Sequence, residues 1–73
     1  MAGIPILRPS EVVKAFGKVG WEVKRQRGSH IIMTKEGSIM TLSIPNHDTV
    51  ARGTLRSLIF KAGLTLNEFL ELI

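Results

Sequence analysis

The hydrophobic period of the chain changes at Gly20-Trp21, and that change dictates most of what it can fold into. Upstream, Val12, Val13, Phe16 and Val19 recur at the spacing of one helical face, with Lys14 and Lys18 opposite. Ser10 is the expected N-cap, and Gly20 suits the left-handed residue that closes a helix. Downstream the period is two, the mark of strands whose side chains alternate between faces.

Three such strands are expected. In the first, Trp21 and Val23 should share a face with Arg25, while Glu22, Lys24 and Gln26 point the other way. Gly28-Ser29 is a tight-turn signal, His30 to Lys35 makes the second strand, and Glu36-Gly37-Ser38 a second turn. Ile39 to Ile44 alternates, with Met40, Leu42 and Ile44 on one face, until Pro45, which has no N–H for a ladder, stops it. After a polar connection from Asn46 to Gly53, Thr54 is placed to cap a helix with Leu55, Leu58, Ile59 and Ala62 as its buried stripe. Gly63 ends that helix. Thr65 and Glu68 have capping-box spacing and open a last short helix through Leu66, Phe69, Leu70 and Ile73.

The predicted architecture is α+β, a three-stranded antiparallel sheet packed on helices. A lone meander cannot bury enough apolar surface, so helices must cover one sheet face, leaving the other face or an edge for a ligand. No repeat or linker interrupts the sequence, so residues 1–73 are expected to form a single domain. A chain of this size buries only about 60% of its unfolded surface. Without cysteine it has neither disulfides nor a thiolate metal site, so packing must hold it together. No apolar run approaches the roughly 18 residues of a membrane span. Met1 to Leu7 is apolar but short, and Pro5 and Pro9 break it up, so it does not read as a signal peptide and the cytoplasm is the expected compartment.

The formal charge of +4 is unevenly spread. Arg8, Lys14, Lys18, Lys24, Arg25, Arg27 and Lys35 all precede residue 36, against only Glu11 and Glu22. A basic half on a small chain favours a polyanion, with RNA or DNA ahead of a membrane surface, although solubility alone would also account for it.

His30 is the first candidate for chemistry. It opens a strand after a turn and follows Lys24, Arg25 and Arg27. Imidazole exchanges protons near neutrality, as a group acting on a ribose 2′-OH or a 5′-oxygen leaving group must, and neighbouring cations bind phosphate. A hydrogen-bonded histidine at a strand start, with no chemistry, would look the same. His47 lies between Asn46 and Asp48, but no metal-ligand spacing such as H-x-x-x-H is present, and an Asx-stabilised turn accounts for the cluster. The carboxylates are too dispersed for two-metal hydrolysis, so neither metal nor cofactor is expected. Ser29 is next to His30, yet neighbours on a strand point to opposite faces, so no Ser–His nucleophile is implied. Arg56 near the start of a helix is opposed by the helix dipole, which a bound phosphate or an acidic partner would offset; simple exposure is the other explanation. Of the aromatic residues, Phe16 and Phe69 are assigned to the core, while Trp21 and Phe60 could also stack on bases.

Taken in order, Pro5 to Gly20, Trp21 to His30 (WEVKRQRGSH), Ile44-Pro45-Asn46-His47, Gly53 to Leu58 (GTLRSL) and Ala62 to Phe69 resemble the HicA toxin family over about residues 5–70. The most specific elements are the G-S-H turn after a basic strand and the G-T-L-R helix opening, with P-x-H between them. Trp21 stands where the family usually has Phe, and Ile31 where it often has a polar or aromatic residue. The resemblance implies a double-stranded-RNA-binding-domain-like fold, α-β-β-β-α with a short C-terminal helix. It further implies mRNA cleavage that arrests translation and neutralisation by a HicB-type antitoxin, the toxin being monomeric alone or part of a toxin–antitoxin hetero-oligomer. The family's catalytic histidine corresponds to His30, and His47 to its other recurrent histidine, structural or RNA-contacting. Lys24, Arg25, Arg27, Gly28, Ser29, Lys35, His47 and Arg56 are the expected RNA contacts. Two readings compete with this one. The chain would be a non-catalytic RNA-binding module of the same fold, or a small interaction domain docking through Phe69, Leu70, Leu72 and Ile73.

Overall fold

A computed structural model describes residues 3–73, so the first two residues of the apolar Met1–Leu7 stretch lie outside the described residues. The elements are α1 (Pro9–Gly17), β1 (Glu22–Arg27), β2 (His30–Thr34), β3 (Thr41–Pro45), α2 (Arg52–Lys61) and α3 (Leu66–Leu70). The strands form one antiparallel sheet in the order β1-β2-β3. This is the expected α-β-β-β-α order with a short final helix.

The boundaries follow local chemistry. α1 starts two residues earlier than Ser10 as N-cap would place it, because Pro9 occupies the first helical position, where its missing N–H costs nothing. The Glu11 carboxylate accepts from the Arg8 backbone N–H at 2.9 Å, doing the capping expected of Ser10. After α1 the chain turns through Gly20 (φ +98°), and the Trp21 N–H donates to the Phe16 carbonyl at 3.2 Å. α2 opens at Arg52 behind Ala51, so Thr54 lies inside the helix and is not its cap. Thr65 and Glu68 form the expected reciprocal box: Glu68 N–H to Thr65 Oγ1 at 3.1 Å, and Thr65 N–H to Glu68 Oε1 at 2.8 Å. β3 begins at Thr41, leaving Ile39 99% exposed in the preceding connection, and β2 stops at Thr34, before Lys35.

Met33, Leu42 and Ile44 bury one sheet face against Val12, Ala15 and Phe16 of α1 and Leu55, Leu58 and Ile59 of α2. Phe69 of α3 closes the core, its ring 5.2 Å from that of Phe16 at 50°. Trp21 is buried as well, whereas Phe60 is 83% exposed. The segment before α1 is pinned by the Val50 N–H, which donates to the Leu7 carbonyl at 2.8 Å.

Candidate functional site

The sheet face turned away from the helices is set by β2. Ile31 pairs with Ile44 and Met33 with Leu42, so these residues face the core, while His30, Ile32 and Thr34 face outward with Ser43 and Thr41 of β3. β1 needs a correction to join this face properly. Its pairing with β2 shifts between Val23 and Arg25, and Lys24 is the extra residue of a bulge. Val23 therefore opposes Met33, while Arg25 opposes Ile32 and Arg27 opposes His30. Strict alternation would have kept Arg25 beside Val23. The bulge transfers Arg25 to the outward face, where it joins Arg27 and His30.

His30 thus stands on the central strand with Arg27 directly across from it on one side and Pro45 on the other. Directly opposed Cβ atoms lie about 4.5–5.5 Å apart, and diagonal neighbours about 7–8 Å. Arg25 and Ser43 occupy the diagonal positions. His30, Arg25, Arg27 and Ser43 are all exposed. The hairpin that delivers His30 has two residues: Gly28 at φ +59° and Ser29 at negative φ, the pattern of a type II′ turn. The Ser29 carbonyl accepts from the Asn46 N–H at 2.7 Å, tying the chain after β3 to this turn. His47 is the next residue and is exposed.

The other expected contacts are more scattered. Lys35 follows the far end of β2, about 16 Å from His30 at 3.3 Å per residue, with its stem passing over Gly20. Arg56 is exposed on α2, in the helical layer, and in the second turn because the helix begins at Arg52. The dipole argument made for Arg56 therefore belongs to Arg52, a residue that sequence patterning left in the preceding loop. Arg52 is exposed at the first helical position, with no acidic residue in that turn. The signal that could have located it is weak, since Ala51 offers no capping side chain. Among the described residues no three His, Cys, Asp or Glu side chains cluster as metal ligands. Among the described residues no helix is long and apolar enough to cross a membrane either.

The sequence profile of HicA, "HicA toxin of bacterial toxin-antitoxin", matches residues 9–64. The chain belongs to the HicA toxin family. The match runs from the first residue of α1 to just past the end of α2, and so takes in the whole sheet. Against curated proteins there is no significant match. As a HicA-family member the chain is the toxin of a toxin–antitoxin pair. The exposed face that carries His30 also carries Arg25 and Arg27.

Proposed function

We propose that this HicA-family toxin is a metal-independent endoribonuclease that cleaves mRNA in the cytoplasm, arrests translation, and is neutralised by a HicB-type antitoxin. The observation that carries the proposal is the β1 bulge, which puts Arg25 and Arg27 on the same exposed face as His30. A phosphodiester laid across that face meets two guanidinium groups and an imidazole together. Guanidinium binds phosphate in bidentate fashion, and imidazole relays protons near neutral pH.

In this mechanism Lys24, Arg25 and Arg27 hold the RNA backbone near the reacting bond, and Lys35 and Arg56 contact it further away. His30 acts as general base at the 2′-OH or general acid at the 5′-oxygen, a role typically worth 10²–10⁴-fold. Arg27 and the turn N–H groups of Gly28 and Ser29 stabilise the charge that develops on phosphorus oxygens. The products carry 2′,3′-cyclic phosphate and 5′-hydroxyl ends.

The test is RNA cleavage in EDTA by the wild type and His30→Ala. Cleavage by the wild type alone is the expected result. Full activity in His30→Ala, in a preparation free of contaminating nuclease, would overturn the scheme. Binding without cleavage by both proteins would make the chain an RNA-binding module.

A further inference from the structure

Cleavage by 2′-OH attack needs two proton transfers, and His30 supplies one group. We propose that His47 is the second, so that the two histidines divide the work on one phosphodiester; this rests on the ribonuclease reading above. They are the only histidines of the chain, and both are exposed. Pro45, two residues before His47, is the cross-strand partner of His30. The Asn46 N–H donates to the Ser29 carbonyl at 2.7 Å, so the residues preceding the two histidines are hydrogen-bonded to each other. Ordinary bond lengths along that path keep the two histidine Cα atoms within about 11 Å. Imidazoles extending from both can therefore reach a single phosphate and its flanking oxygens.

The loop that carries His47 is held at both ends. Asn46 is tied to Ser29, and the Val50 N–H donates to the Leu7 carbonyl at 2.8 Å. These two backbone hydrogen bonds limit how far the His47 backbone can lie from the sheet, and so favour the positioning that proton transfer requires. His47 also differs from the cations around His30 in chemistry. Lysine and arginine bind phosphate well but stay protonated through the neutral range, whereas a second imidazole both gives and takes a proton there.

In the step itself one neutral imidazole accepts the 2′-OH proton as the O2′–P bond forms. The other, as imidazolium, donates a proton to O5′ as the P–O5′ bond breaks. The products are a 2′,3′-cyclic phosphate and a free 5′-hydroxyl. Proton exchange with water then restores both histidines.

The experiment compares wild type, His30→Ala and His47→Gln on two RNAs. One is all-oxygen, and the other carries a 5′-bridging sulfur at the bond that the wild type cuts. Thiolate leaves without help from a general acid. Each variant should lose on the order of 10²-fold or more on the oxygen substrate. One of the two, the variant lacking the acid, should recover to within about tenfold of wild type on the sulfur substrate. Equal losses on both substrates by both variants would leave neither histidine as the acid and overturn the proposal. Wild-type rates for His47→Gln beside a crippled His30→Ala would overturn it while leaving the ribonuclease reading intact. A wild type that cuts neither RNA overturns both.

Discussion

On β2, Ile31 and Met33 turn toward the helices, while His30, Ile32 and Thr34 turn away from them. The inward set meets Leu42, Ile44, Val12 and Phe16 in a closed apolar core. The outward set meets arginines, a serine and solvent. One strand thus carries residues that hold the fold together on one side and residues that can act on a ligand on the other. His30 is exposed, whereas Ile32 and Thr34 are half-buried, so replacing His30 should alter chemistry and leave folding alone. The inward ones should do the reverse.

The largest expected effects test that separation directly. Leu42→Ala, at a fully buried position, should cost about 2–5 kcal/mol, much of what a domain of this size has in reserve. The shift of its urea midpoint measures the cost. His30→Ala should leave that midpoint within about 0.5 kcal/mol of wild type while removing RNA cleavage. A destabilised His30→Ala would break the contrast, because it would make His30 a structural residue.

Next in size is the charge on the outward face. Replacing Arg25 and Arg27 together with Gln should flatten the dependence of log binding constant on log salt by about 1.4, or roughly 0.7 per single-strand phosphate contact. Lys35→Gln, at the far end of β2, should flatten it by no more than about half of that. Salt titration of RNA binding decides the matter. Equal effects of the double and the Lys35 substitution would mean that the bulge does not define the binding face.

The smallest effect is expected of Trp21→Phe, in the core itself. Trp21 Nε1 is buried with no acceptor among the described residues, and an unsatisfied buried donor costs about 1–3 kcal/mol. Trp21→Phe removes that donor along with part of the ring. The two changes should nearly cancel, leaving the stability within about 1 kcal/mol of wild type. Trp21→Ala should lose about 3–5 kcal/mol, as ordinary core truncation does. Equilibrium denaturation of both variants checks the pair.

The order of elements was legible because its markers are local. The period change at Gly20-Trp21, the Gly28-Ser29 turn and the Thr65/Glu68 box each depend on a few neighbouring residues. The bulge was not legible. In Glu22–Arg27 every residue is exposed, so no apolar marker reports which way Lys24 or Arg25 points. Only the pairing with β2 decides it. The start of α2 was hidden for a related reason, since Ala51 caps without a side-chain signal and Thr54 imitates a cap from inside the helix. The basic residues around His30 could be picked out by proximity in sequence. Their sorting by face, and the pairing that brings Pro45 beside His30, come from contacts between strands.

The bridge from Leu7 to Val50 has a bearing on how the toxin is made. Leu7 is synthesised 43 residues before Val50, and the loop holding His47 cannot be fastened until Val50 follows. A nascent chain that has already paired β1 with β2 still lacks this clasp. The complete arrangement around His30 therefore forms only after Val50 has been synthesised.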